Sequence, residues 1–417
     1  MQLRKNRMTV AAIYIACTFV STSYITIVSM AYILNSYPNV PASTVTLLLT
    51  LPSLVGLVVS FLIGPISMKA NKKALLIVSY CFMILSVAVY AFVGSKNITL
   101  LMVAAVLCGL CQGSCGTLQN SLIAERVEAE KRANVMAVVN ALTYGGTIFY
   151  NIVGGKLAAA NGGENWNHAY FLGFILIPTT ILFAILFPNK KDEPTSSGPA
   201  AAGSAPAAEA PAGSLDQKQA RLPAYSVGLC LLYAISMVFQ YATGLNMSNY
   251  FVNLLQLGDA SLAGVVMSAG TLGVFVSGLL YRYYSKPLKN YVPVVGMLGY
   301  AIGSLLIAFV PNVAVFIVAQ FLMGASTGCF TPYFVATISI RTPPKYVPIA
   351  MSLFMGFMNG FMFLAQYVLD ALGKIGVDPN DAVAYVGNKF AVAGYGLIAC
   401  TIACFILFPM YDKKHKI

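Results

Sequence analysis

Charge is scarce in this chain. Of 417 residues, 25 are Lys or Arg and 13 are Asp or Glu, 9% in all, while 58% are hydrophobic. A soluble protein needs a charged surface to stay dissolved, so an ordinary soluble domain is excluded. Histidine is almost missing: His168 and His415 both lie near the ends of apolar runs. No Asp, Glu, Lys, Arg or His falls at the centre of any run, so neither a nucleophile with its base nor a metal cluster can be assembled there, and no enzyme is expected. Cys108, Cys111 and Cys115 share one helical face, yet no histidine or carboxylate stands near them, and cysteine packs well as a small apolar group. No metal or other cofactor is therefore called for. All nine cysteines fall within apolar runs, which argues against a disulfide framework. The single tryptophan, Trp166, lies near a loop, so an aromatic platform for a ligand has to be Tyr or Phe.

The charge that is present follows a pattern. The net charge of +12 is dispersed among short loops, which points to a lipid bilayer with anionic heads as the partner and away from nucleic acid. Apolar runs close to or above the roughly 20 residues needed to cross a bilayer are read at 9–33, 44–66, 74–94, 98–122, 134–157, 168–188, 224–250, 261–284, 291–311, 313–336, 347–371 and 389–409. That is six spans, a break, and six more. Lys and Arg near span ends are retained on the cytoplasmic side. With both termini inside, 21 of the 25 basic residues fall in cytoplasmic segments; Lys96, Lys156, Lys374 and Lys389 fall in outer loops or at their edges. The first run is too long for a cleaved leader and lacks a small-x-small site, so it reads as an uncleaved span. A multi-pass protein of the plasma membrane is expected, acting as a monomer.

The second half repeats the first. Gly109 and Gly113 recur as Gly324 and Gly328 at an offset of 215, and the same offset pairs Arg126 with Arg341, Met136 with Met351 and Gly145 with Gly360. An offset of 214 pairs Gly56 with Gly270, Phe61 with Phe275, Gly64 with Gly278 and Lys72 with Lys286. Duplicated bundles are how many secondary transporters are built. The expected fold is an all-α membrane protein of twelve transmembrane helices in two pseudo-symmetric six-helix bundles. Residues 1–188 form the N-terminal bundle and residues 223–417 the C-terminal one. Residues 189–222, rich in Ala, Pro, Gly and Ser, form a flexible cytoplasmic linker.

Several stretches resemble the major facilitator superfamily. The loop after span two, Gly64-Pro-Ile-Ser-Met-Lys-Ala-Asn-Lys-Lys, is similar to that family's Gly-x-Leu-Ala-Asp-Arg-x-Gly-Arg-Lys loop. Gly64, Lys69, Lys72 and Lys73 match, while Met68 stands in place of the aspartate and Asn71 in place of the glycine, where Asn can adopt a left-handed turn. In the family the aspartate belongs to a cytoplasmic gating network, so gating here has to be held otherwise. Gly64, Lys69, Lys72, Lys73 and Arg132 are the gating candidates. Span four, Gly109-Leu-Cys-Gln-Gly-Ser-Cys-Gly, is similar to the Arg-x-x-Gln-Gly-x-Gly-Ala signature of drug antiporters, with Gly109 at the arginine position. Span five is a partial echo of the antiporter motif Gly-x-x-x-Gly-Pro-x-x-Gly-Gly, with Tyr150 and Asn151 in place of Gly-Pro. The Trp166-Asn-His-Ala-Tyr-Phe stretch before span six resembles the Trp-Arg-Trp-x-Phe lead-in of many branches. The resemblance covers essentially the whole chain and implies that spans one, four, seven and ten line a central cavity.

Polar side chains then mark a candidate site. Gln112, Tyr144, Gln240, Ser326, Thr327 and Asn359 fall at similar depth near span centres; Thr18, Ser21 and Tyr24 in span one and Tyr241 and Asn246 in span seven add to them. The substrate-binding candidates are Ser21, Tyr24, Gln112, Tyr144, Gln240, Tyr241, Asn246, Thr327 and Asn359. Amides and hydroxyls supply both donors and acceptors to a neutral or polar solute, although they also join helices to one another. Glu125 and Asp370, at span ends, are the candidates for a proton relay. The expectation is a secondary transporter moving a small neutral or weakly charged organic solute by alternating access, through uniport or exchange. The alternatives are a proton-linked exporter of amphipathic compounds and a non-transporting sensor with a transporter fold.

Overall fold

The computed structural model describes residues 2–127, 129–187, 224–343 and 346–415. Among these, twelve helices are long and apolar enough to span a membrane: Met8–Ser36, Ala42–Ser67, Lys72–Val93, Ile98–Ile123, Val135–Gly163, Trp166–Leu186, Ala224–Leu254, Ala260–Tyr281, Tyr283–Phe309, Val313–Ile338, Ile349–Leu372 and Ala382–Ile406, numbered spans 1 to 12. The linker expected at 189–222 lies outside the described residues. Span 6 ends and span 7 begins at the face toward that linker, the linker end; the opposite face is the far end. Large apolar side chains such as Ile185, Leu279, Phe309 and Phe405 stand more than half exposed. In a chain of this composition such a surface faces lipid tails.

Asparagine starts three spans. The Asn71, Asn97 and Asn312 side chains accept hydrogen bonds from the amides of Lys73 (3.0 Å), Thr99 (2.9 Å) and Ala314 (2.9 Å), occupying backbone donors that a helix start leaves unpaired. Asn97 and Asn312 are related by the offset of 215 and cap matching ends of spans 4 and 10. The left-handed conformation that asparagine tolerates is not used at Asn71. Its φ is −69°, so this position uses the side-chain oxygen of asparagine and not its tolerance of positive φ.

The repeat itself needs one correction. Span 4 and span 10 helices run Ile98–Arg126 and Val313–Arg341, which preserves the offset of 215. The span 2 and span 8 helices, however, begin at Ala42 and Ala260, an offset of 218. Glycine contacts support the larger value. A side chain at Gly113 would collide with Gly56 and Val59, and one at Gly328 with Val274 and Ser277, their partners at an offset of 218. The offset of 214 is thus wrong by four positions, about one helical turn, which leaves every residue on nearly the same face and so escapes detection by periodicity.

The halves meet along three seams: span 1 with span 7, span 5 with span 8, and span 2 with span 11. Spans 1 and 7 are each interrupted partway, at residues 19–22 and at Tyr241. The pieces beyond, Ser23–Ser36 and Ala242–Asn249, pack on each other. The break in span 1 frees carbonyls that span 5 satisfies: Tyr150 donates to Phe19 O (3.0 Å) and Thr143 to Cys17 O (3.2 Å), while Gly146 leaves room for Thr18 O. Tyr150, which departs from the antiporter motif, therefore has a definite job at the kink.

Its neighbour Asn151 is different. It is fully buried in a π-helical turn, Tyr150–Gly154, at the seam with span 8, and neither amide atom has a hydrogen-bond partner. Gln366, its counterpart by the offset of 215, lies at the seam of spans 11 and 2 and is satisfied: it accepts from Thr50 Oγ1 (3.3 Å) and donates to Ser43 O (2.6 Å). An unpaired buried amide costs about 1–3 kcal/mol. Asn151→Leu should therefore raise the thermal unfolding temperature of the detergent-purified protein, and an unchanged or lower value would show that the amide is satisfied.

Candidate functional site

A cavity of about 470 Å³ lies among spans 1, 2, 3, 4, 5, 7 and 11. It reaches from Tyr90 toward the far end, past Ser21 and Tyr24 near the middle of span 1, to Thr117, Asn120 and Asn140 nearer the linker end. Among the described residues, its lining includes no Asp, Glu, Lys, Arg or His. Five of the nine substrate-binding candidates line it: Ser21, Tyr24, Gln112, Tyr241 and Asn359. Span 1 positions Ser21 and Tyr24 at its break, where the turn swings them toward the interior. Close packing of Gly109 and Gly113 against Pro52, Val55 and Gly56 fixes span 4, so that Gln112, on another face, projects into the space.

The wall holds polar groups with capacity to spare. Among the described residues, the side chains of Ser21, Tyr24, Asn120 and Asn140 have no hydrogen-bond partner. Gln112 uses one amide proton, toward Cys108 Sγ (3.4 Å), and keeps its oxygen open. Asn359 donates to Met355 O (3.1 Å) and likewise keeps its oxygen. Tyr241 offers its ring only, since its hydroxyl donates to Leu49 O (3.0 Å). Elsewhere in the chain buried polar atoms are mostly paired, so this accumulation of open donors and acceptors identifies a place for a polar ligand or for water.

Tyr144, Gln240, Asn246 and Thr327 do not line the cavity. Gln240 is 6% exposed and donates to Ser236 Oγ (3.0 Å) within its own helix. Asn246 donates to Ala242 O and Thr327 to Met323 O, each bonding back one turn. Span 10, expected at the cavity, contributes no lining residue: Ser326 presses on Gly299 of span 9, Gln320 lies against Gly270 of span 8, and Thr331 pairs with Tyr233 of span 7. Spans 2, 5 and 11 take its place. The sequence reading missed Met355, Met358 and Met362, which line the cavity from span 11 at spacings of three and four; that helical stripe was the signal available.

Closure at the far end uses neutral groups. Asn35 donates to Asn253 Oδ1 (3.0 Å), a pair related by the offset of 218, and Asn253 donates in turn to Ala31 O (3.1 Å). Ser248 Oγ accepts from Ala31 N (3.2 Å) and donates to Val28 O (2.7 Å). The Gln366 bonds to span 2 extend the same closure.

The gating candidates at the linker end have local roles where they are described. Lys73 donates to the carbonyls of Ala184 (2.6 Å) and Phe187 (2.5 Å), meeting the C-terminal dipole of span 6, and Lys72 donates to Ser121 Oγ (2.6 Å). Gly64 lies within the span 2 helix with open space at its α-carbon. The side chains of Lys69, Glu125 and Arg132 lie outside the described residues. Asp370 stands at the far end, paired with Lys389 Nζ at 2.5 Å and apart from the cavity. Lys389 itself is a correction. Span 12 starts at Ala382, so this residue lies two turns inside the helix and is buried, with its ammonium also over the Tyr385 ring at 4.3 Å.

Twelve spans in two related bundles around a central cavity define a transporter-like membrane fold. Residues 10–365 match the family model of the Major Facilitator Superfamily, and the chain belongs to that family. No curated protein sequence matches it significantly. Solved structures share the fold at low identity. The human organic anion transporter MFSD10 (TETRAN) is 13% identical, with 96% of this chain and 99% of that one covered and a TM-score of 0.66. A bacterial homologue of the human drug peptide transporters PepT1 and PepT2 is 12% identical, with 98% and 99% covered and a TM-score of 0.69. A peptide transporter in complex with sulfate is 11% identical, with 96% and 94% covered and a TM-score of 0.73.

The two span-centre glutamines should now separate. Gln112→Ala should weaken ligand binding about tenfold, the worth of roughly one hydrogen bond, with abundance unchanged. Gln240→Ala should lower thermal stability and leave affinity intact. Titration calorimetry and thermal unfolding on both variants check this.

Proposed function

We propose that this protein is a secondary transporter that carries a small uncharged organic solute by alternating access, through uniport or exchange. The single observation that supports this most is the cavity wall: open amides and hydroxyls with, among the described residues, no acidic or basic side chain. A charged solute buried there would lack a counter-charge in a low-dielectric site, whereas a neutral polar one finds donors and acceptors. With the basic loops on the cytoplasmic side, the described conformation is closed outward, and the cavity extends toward the cytoplasm. The plasma membrane is the proposed location, with both termini inside and one chain as the working unit. Of the two proton-relay candidates, Asp370 is committed to Lys389 away from the cavity, and the side chain of Glu125 lies outside the described residues.

Solute exchange in proteoliposomes tests the reading. A library of uncharged metabolites should contain at least one that is both bound and exchanged across the membrane. Binding without flux would replace the transporter with a sensor, and flux confined to anions or cations would contradict the neutral-solute assignment.

A further inference from the structure

Most of the cavity wall comes from the N-terminal half, which mixes polar groups with apolar ones such as Val20, Ile27, Leu48, Leu49 and Val139, while the C-terminal part is small and rich in methionine. The groups with open hydrogen-bonding capacity belong almost entirely to the N-terminal half, among them Ser21, Tyr24, Gln112 and Asn140. The C-terminal half contributes Tyr241, Met355, Met358, Asn359 and Met362. Of these Tyr241 has committed its hydroxyl and Asn359 an amide proton, so the methionine thioethers dominate that side. Thioethers are polarizable and pack favourably on aromatic rings. Tyr24, in the same lining, is 37% exposed although it sits partway along a membrane span, and its hydroxyl has no partner among the described residues. Its ring, with that of Tyr241, gives the cavity an aromatic surface.

We propose that the substrate is an uncharged molecule with one flat apolar face and one edge rich in hydrogen-bonding groups, the chemistry of a nucleoside. This rests on the transporter reading of the same cavity. The edge is held by the amides and hydroxyls of spans 1, 4 and 5, and the flat face lies against Tyr24 and the methionines of span 11. A hexose fits less well, because it is hydroxylated around its whole rim and would leave hydroxyls against the thioethers unpaired. A simple aromatic alcohol fills the apolar side but leaves the polar wall unanswered. The volume of about 470 Å³ suits one such molecule with some water and lies within the range of small-molecule sites. The division also assigns the halves different tasks: the N-terminal half selects, and the C-terminal half presents a surface with few directional bonds, against which it can shift without first breaking many of them.

Counterflow in proteoliposomes containing the unaltered protein gives the decisive comparison, with uridine, adenosine, glucose, benzyl alcohol and uridine monophosphate as probes. Uridine or adenosine should exchange, and glucose, benzyl alcohol and the monophosphate should compete at least about tenfold more weakly. Exchange of glucose or benzyl alcohol equal to or better than that of both nucleosides would overturn the substrate assignment while preserving a neutral-solute transporter. Preference for the monophosphate would overturn the neutral-solute reading as well. Failure of every probe to bind or exchange would overturn the nucleoside assignment alone. Tyr24→Leu should weaken nucleoside binding about five- to tenfold, in the range of an aromatic pair, while Tyr24→Phe retains most of it. Equal losses in both variants would show that the hydroxyl, and not the ring face, is what the ligand uses.

Discussion

A polar group inside a bilayer has no water to bond with, and this constraint governs the protein at every level. A charge there is costlier still, and the chain confines its charges to the ends of spans or pairs them, as with Lys389 and Asp370. What remains for function is the neutral hydrogen bond. Breaks in spans 1 and 7 leave carbonyls that need donors, and Tyr150 and Thr143 provide them for span 1. Closure between the halves is built from Asn35, Asn253, Ser248 and Gln366, again without charge. The cavity is where such groups gather without partners.

Neutral closure has an energetic consequence. Each exchanged hydrogen bond is worth about 0.5–1.5 kcal/mol net, so on the alternating-access reading proposed above a handful of them would hold the far end shut by an amount that substrate binding could offset. A buried ion pair would be stiffer to break, since separating it leaves an uncompensated charge. The unpaired amide of Asn151 sits in the seam between spans 5 and 8 and weakens the same balance. The loss of the family's loop aspartate at Met68 fits this sparing use of charge.

Much of the fold was legible in the sequence, because hydropathy, basic loops and glycine spacing are each set directly by lipid and by close helix packing. The limits are equally physical. A slip of four positions between spans 2 and 8 preserves the helical face, so Gly56 and Gly270 looked equivalent although Gly56 matches Val274 in space. Depth along a helix was readable for Gln112 and Gln240 alike, but which way each turns depends on neighbouring helices that a single sequence does not reveal. Span 10 was expected at the cavity and span 11 occupies that place, with its methionines, for the same reason. Lys389 looked like a loop residue because charge normally ends a span, and its pairing with Asp370 across 19 positions carries no local signal.

The central claim is that, among the described residues, the cavity is lined by no acidic or basic group. The most direct test is the rate and final extent of solute movement into proteoliposomes, compared with and without an imposed proton gradient and membrane potential. Equilibration to equal concentrations, or exchange at rates indifferent to both, is the expected result. Accumulation above equilibrium that appears only with the proton gradient would contradict it and require a titrating group in the transport cycle.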